Sequence, residues 1–191
     1  MIIFEDEKIV FVKSYKTAGT KIEYEIRKYL KPNDIQIKFG YSEFSTKGQN
    51  EGCLKFNFWN IFTQHFYLML PYIVFRFVKG ETVIDEHTDI DTLIFWNKKY
   101  RGYEYVTVYR NVDDVNLSNR RMHTKRLKVD FDNHQIGKIK TITNKYYYKS
   151  RFAFSNVLKL RVFQYENLDE LDEYFRKLRG VDFHWEVKIN D

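Results

Sequence analysis

The chain has 191 residues and a formal net charge of +6, from 32 Lys and Arg against 26 Asp and Glu. This length suits one domain, taken here as residues 1–191, and 43% hydrophobic residues exclude wholesale disorder. The single cysteine, Cys53, excludes an intramolecular disulfide. The first residues are acidic, and the most apolar stretch, 66–75, is too short to span a bilayer, so we expect a soluble, cytoplasmic or otherwise intracellular protein. The positive charge favours anionic partners.

Predicted strands and helices alternate along the first two thirds of the chain. Residues 9–12 form a wholly apolar run, which indicates a strand buried on both faces. A turn of small residues follows, and then a helix with apolar residues at helical spacing that ends before Pro32. The later predicted elements are a strand at 35–39, a helix at 56–70 before Pro71, a strand at 73–78, a helix from Thr88 or Asp89 to Tyr100, a strand at 103–109 and a helix at 114–125.

The last third of the chain continues this alternation. Residues 127–150 fit either a hairpin or a helix, and 160–164 fit a strand. An apolar stripe beginning at Leu168 predicts a helix that Gly180 ends, and the alternating tail at 181–189 predicts an edge strand or a docked extension. The pattern as a whole predicts an α/β fold of three layers with a central, mainly parallel sheet.

The first candidate site is the loop at 16–20, between the first predicted strand and its helix. Backbone N–H groups of such a loop point in one direction, and together with the helix dipole they favour an anion. Gly19 permits close approach or a positive φ, Thr17 and Thr20 can add hydroxyl donors, and Lys16 places a cation at the mouth. The loop lacks the GK[ST] of the ATPase phosphate loop, and an ordinary strand-to-helix turn remains the alternative interpretation.

The second candidate site begins at Arg110, where the predicted strand at 103–109 ends. The carboxyl end of a sheet strand is where α/β folds bind ligands, and a planar guanidinium suits a phosphate. Ser118 lies eight residues further on, in the next predicted helix, and can face the same anion. A surface arginine and a solvated serine remain the alternative.

Together these residues resemble the sulfotransferases that use 3'-phosphoadenosine 5'-phosphosulfate (PAPS). Members of that family carry a Lys-Thr-(Ala or Gly)-type loop after the first strand, and later a strand ending in Arg-Asn with a Ser eight residues after the Arg. The segment Phe163-Gln-Tyr-Glu-Asn-Leu168 is similar to the late strand and helix start of the family. The resemblance covers about half of the chain and departs from the family pattern at Tyr15, Lys21 and Val112.

The resemblance implies a fold, a donor site and a chemistry. The fold would be the P-loop-like sulfotransferase fold, and the donor would be PAPS without a metal. Its implied ligands are Lys16, Thr17, Ala18, Gly19, Thr20 and Lys21 at the 5'-phosphosulfate, and Arg110 and Ser118 at the 3'-phosphate. Lys16 would also stabilise the negative charge on the leaving oxygen.

Sulfuryl transfer needs a base that takes the proton of the acceptor hydroxyl. His87 is the best candidate, since it lies between a predicted strand and helix shortly before Arg110, with Glu86 or Asp85 as substitutes. A solvated or helix-capping histidine is the alternative. We expect a hydroxyl-bearing acceptor, and the positive charge favours an anionic or glycan (carbohydrate) acceptor over a hydrophobic phenol. No His, Cys or Asp cluster has the spacing of metal ligands, so no metal is expected.

Three other functions remain open. A P-loop nucleotide kinase or phosphotransferase would share the strand, loop and helix. A non-catalytic binder of nucleic acid or anionic glycan would use the basic segment at 120–128, which we interpret instead as a solvated helix face, so a nucleic-acid partner is not expected. The third is a degenerate sulfotransferase that binds the donor without turnover.

Overall fold

A computed structural model describes residues 1–14, 17–37, 64–78, 90–127 and 159–181. These residues form a mixed α/β fold on one five-stranded sheet. Its strands are β1 (Ile2–Phe4), β2 (Ile9–Val12), β3 (Ile35–Gln36), β4 (Glu104–Tyr109) and β5 (Lys159–Gln164). The strand order is β3-β1-β2-β4-β5, in which β2, β4 and β5 run parallel and β1 runs antiparallel to both of its neighbours. The predicted α/β class is confirmed, and in the sheet β1 alone of the five described strands runs against the direction of the others.

Helices cover both faces of this sheet. The described helices are α1 (Gly19–Arg27), α2 (Gln64–Val78), α3 (Ile90–Trp96), α4 (Val112–Leu127) and α5 (Leu168–Arg179), with 3-10 turns at Lys98–Gly102 and Tyr165–Asn167. Alternate side chains of the strands point to opposite faces. One face packs on α1 and α5 through Ile2, Phe4, Ile9, Phe11, Ile22, Ile26, Val106, Val108, Leu171 and Phe175. The other packs on α3 through Ile3, Val10, Val12, Ile90, Leu93, Ile94 and Tyr105.

The predictions for β2, β4, β5 and α5 are confirmed within a residue or two, including the left-handed Gly180 (φ 67°) that ends α5. The helix expected to reach Tyr100 ends at Trp96 and is followed by a 3-10 turn. Strand β1 was not predicted, because its three residues are too few to show a period. The predictions for 128–150 and for the tail from residue 182 lie outside the described residues, as do the predicted helix residues 56–63.

One predicted strand is wrong. Residues 73–78 belong to α2, which continues through Pro71 instead of ending before it. A run of β-branched and aromatic residues fits a helix as well as a buried strand, and proline in a helix removes one hydrogen bond. Val74, Phe75 and Phe77 are exposed, which residues of a strand inside the sheet would not be. Among the described residues no helix is both long and apolar enough to cross a membrane.

Polar contacts hold together the edge where the parallel strands begin. Arg179 Nη2 lies 2.7 Å from Asp34 Oδ2, and both side chains are buried. Glu5, in the turn between β1 and β2, accepts hydrogen bonds from Tyr103 (2.7 Å) and Lys99 (2.8 Å). Burial acts to raise the pKa of Glu5, but the hydrogen bonds from Lys99 and Tyr103 outweigh it, so the pKa is lowered. This edge is therefore fixed by internal partners.

Candidate functional site

The carboxyl ends of β2, β4 and β5 meet at the opposite edge, because these three strands are parallel and adjacent. The loop to α1 follows β2, Arg110 follows β4, and Tyr165 follows β5. Neighbouring strands are roughly 5 Å apart, and the two candidate sequence motifs follow strands that lie side by side. In α/β folds this edge is the usual place for a ligand.

Three hydroxyl groups connect the loop after β2 to β4. Thr107 Oγ1 donates to the carbonyl of Val12 at 2.9 Å and lies 2.8 Å from Ser14 Oγ. Since the proton of Thr107 is already donated, Ser14 is the donor in the second bond. Thr17 in turn donates to the carbonyl of Ser14 at 3.1 Å. The Thr17 hydroxyl is buried and donates its proton within the loop, so it stabilises the conformation of the loop. The sequence had suggested instead that this hydroxyl would donate to the anion.

The left-handed residue of this loop is Ala18, with φ 56° and ψ 15°, directly before α1. Gly19 is the first helical residue and does not provide the positive φ that the sequence allowed. The reason for glycine is instead steric, since a Cβ on Gly19 would lie 2.5 Å from Cγ of Lys13. Holding alanine in the left-handed region costs about 1 kcal/mol, which the surrounding hydrogen bonds must offset.

Lys13 is a buried lysine that runs beneath the first turn of α1. Its side chain is 4% exposed, and its Nζ lies 3.3 Å from Oε2 of Glu23 in the same helix. Glu23 also contacts the amino group of Met1. Lys13 therefore packs against α1 and pairs with a carboxylate of that helix, which it shares with the Met1 amino group. Lys13 was not among the predicted site residues, although a charge directly after an all-apolar strand is a visible signal in the sequence.

The start of α1 has the electrostatics of an anion site. The first N–H groups of a helix have no partner within the helix, and Ala18 supplies no side-chain cap. The first turn contains no acidic residue, and it includes the exposed Lys21. Thr20 is partly buried there, beside the buried Gly19. The positive end of the helix dipole is therefore not compensated by a carboxylate of its own first turn.

Arg110 is the residue that immediately follows β4, and it is half-buried. Its Cζ lies 4.2 Å from the centroid of the Tyr165 ring, which is a cation–π contact. Tyr165 belongs to the segment that resembled the sulfotransferases, but its contact with Arg110 was not foreseen. The signal was indirect, because it requires knowing that β4 and β5 are neighbours.

Asn111 caps α4 directly after Arg110. Its Oδ1 accepts from the N–H of Asp113 at 2.9 Å, and its carbonyl accepts from Val115 at 3.0 Å. Val112 is thus the first helical residue, a position where proline is common but not required. Ser118 lies seven residues after Asn111, on the same face of α4 as the buried Val115, and is partly buried.

The structure brings some of the predicted site residues together and does not describe others. Thr17, Ala18, Gly19, Thr20 and Lys21 form one loop and helix start, and Arg110 follows the adjacent strand. The predicted catalytic residues Lys16, Glu86 and His87 lie outside the described residues, as does Tyr15. Within the described ranges, no group of three or more His, Cys, Asp or Glu could hold a metal ion.

No protein-family model matches this chain, and neither does any curated protein or solved structure.

Proposed function

We propose that this chain binds PAPS at the carboxyl edge of the sheet and transfers its sulfuryl group to an acceptor hydroxyl. The observation that carries the proposal is the meeting of two separate motifs. The loop at 17–21 and Arg110 lie 90 or so residues apart in sequence, yet they end adjacent parallel strands at one edge. Two motifs of this kind at one edge fit a ligand with two anionic groups, as PAPS has. They fit that explanation better than the alternative in which the loop is an ordinary strand-to-helix turn.

The residues present fit the two phosphate ends of this donor. The start of α1 would hold the 5'-phosphosulfate through backbone N–H groups of residues 18–21, with Lys16 and Lys21 as nearby cations. Arg110 would bind the 3'-phosphate through its planar guanidinium, with Ser118 on the following helix as a second ligand. The hydroxyl contacts of Thr107 and Thr17 fix the loop relative to β4, and so fix the distance between the two ends.

The transfer itself is an in-line displacement at sulfur. The acceptor oxygen forms a bond to sulfur while the bond from sulfur to the 5'-phosphate oxygen breaks. The acceptor proton passes to His87, or to Glu86 in its place, and the electron pair stays on the leaving bisphosphate. Lys16 would stabilise that developing charge. The chain's positive charge favours an anionic or carbohydrate acceptor over a hydrophobic phenol.

Calorimetry with the product 3',5'-ADP tests the donor site. Lys16→Ala and Arg110→Ala should each weaken binding by about 10- to 100-fold, the loss expected for one charged hydrogen-bond partner. Lys177→Ala is a matched control, since it removes one positive charge from an exposed position on α5. Its affinity should stay within about twofold of the wild type. Wild-type protein that binds no 3',5'-ADP at millimolar concentration would contradict the proposal, and tighter binding of Mg-ATP would favour a phosphotransferase.

His87→Ala separates binding from turnover. The variant should keep its affinity for 3',5'-ADP and lose about 10²- to 10⁴-fold in rate, the usual contribution of a positioned base. Transfer of radiolabelled sulfate from PAPS to a panel of polysaccharides measures the rate. A variant with full activity would rule out His87 and move the test to Glu86→Gln.

A further inference from the structure

Arg110 and Tyr165 occupy equivalent places on neighbouring strands. Tyr109 pairs with Gln164 at the end of the parallel β4–β5 ladder, so the next residue on each strand is Arg110 and Tyr165. The guanidinium carbon lies 4.2 Å from the ring centroid. Both side chains are half-buried at the edge that carries the proposed donor site.

The Tyr165 ring is itself held in place. It packs against the buried cluster that contains Val108, Phe163 and Phe175. It also begins the 3-10 turn that leads into α5, so its backbone is fixed between a strand and a helix. A ring anchored in this way restricts the rotamers of an arginine that lies over it.

A cation–π contact orients arginine differently from an ion pair. The ring attracts the guanidinium through its π face and offers no acceptor oxygen from that face. The contact therefore restricts the orientation of the guanidinium of Arg110 relative to the Tyr165 ring.

We propose that Tyr165 is a positioning residue that orients Arg110 toward the ribose 3'-phosphate and thereby sets the preference of this site for 3'-phosphorylated nucleotides. This inference rests on the proposed function. Its measurable quantity is the discrimination ratio, defined as the Kd of 5'-AMP divided by the Kd of 3',5'-ADP. A residue with a merely structural role would change both constants together and leave the ratio unchanged.

Two substitutions at Tyr165 test the contact by calorimetry. Tyr165→Leu removes the ring and should lower the discrimination ratio by about 3- to 30-fold, the range that one cation–π contact supports, with little change in the Kd of 5'-AMP. Tyr165→Phe keeps the ring and should keep the ratio within about twofold of the wild type. If Tyr165→Leu does not fold, Tyr165→Met carries the same test, because its adaptable side chain can fill the space of the ring.

A double-mutant cycle checks that Tyr165 acts through its partner. Once Arg110→Ala is in place, Tyr165→Leu should not lower the ratio further. An unchanged ratio in Tyr165→Leu, or a Phe variant as impaired as the Leu variant, would overturn the inference while the donor site stands. Wild-type protein that does not bind 3',5'-ADP would overturn the proposed function, and this inference with it.

Discussion

Replacing Gly19 with alanine adds one methyl group where Lys13 already lies. The added Cβ would be 2.5 Å from Lys13 Cγ, at least about 1 Å closer than an ordinary carbon contact. Cγ is near the backbone of a buried side chain, so it cannot swing away as the end of an exposed lysine would. Overpacking of this kind costs about 1–3 kcal/mol, and alanine recovers up to about 1 kcal/mol through its helix propensity. We expect Gly19→Ala to lower the free energy of unfolding by about 1–2 kcal/mol.

Urea denaturation followed by tryptophan fluorescence measures this loss. Gly102→Ala is the control, since a Cβ there meets nothing within 4 Å, and its effect should stay within about 0.5 kcal/mol. Combining Gly19→Ala with Lys13→Ala removes the clashing Cγ, and the separate cost of losing the lysine cancels in the double-mutant cycle. The reasoning is refuted if Gly19→Ala costs the same in both backgrounds, or no more than the control.

Two further predictions concern polar contacts near the two ends of the parallel strands. Thr107→Val removes the hydroxyl that joins Ser14 to β4, and it should lower the free energy of unfolding by about 2 kcal/mol. Thr107→Ser keeps a hydroxyl and should lower it clearly less in the same urea assay. Equal losses in the two variants would contradict a stabilising role for the hydroxyl. Glu5 has a lowered pKa, so its contribution is present above its ordinary pKa of 4.5 and is lost as the pH falls through the folded-state value. Glu5→Gln, which weakens the bonds from Lys99 and Tyr103, should therefore cost about 1 kcal/mol at pH 7, and the cost should shrink as the pH falls below 4.5 through the lowered folded-state pKa, as thermal melts across pH would record. A loss that does not depend on pH would contradict this assignment.

Local patterns were enough to predict most of the described elements. The stripe of α5 can be recognised because it repeats with the helical period, and the apolar run of β2 can be recognised because it is short and is followed by a turn of small residues. The same criterion fails at 73–78, where an apolar run without a clear period belongs to a helix that contains Pro71. It also fails for β1, which is defined by its pairing with β2 and β3 rather than by a pattern of its own.

The candidate site likewise contains residues that the sequence could identify and residues that it could not. The loop at 17–21 and Arg110 could be selected from sequence, because residue type and position after a strand suggest anion binding. The partners of these residues could not be selected, since each comes from a strand or helix brought close by the sheet order. Tyr165 meets Arg110 because β5 is next to β4, and the steric need for glycine at position 19 depends on the path of the Lys13 side chain.

Because of the strand order, the candidate site is built on strands that differ in how many hydrogen-bonded neighbours they have. Strand β2 is hydrogen-bonded on both sides, by β1 and β4, whereas among the described strands β5 has only β4 beside it. Amide hydrogen exchange in β2 should therefore require nearly complete unfolding, while β5 can exchange by opening locally. A nucleotide that contacted both the loop after β2 and the Arg110–Tyr165 pair would connect β2, whose amides exchange slowly, to β5, whose amides exchange faster. Its binding should therefore appear as slower deuterium uptake at the end of β5.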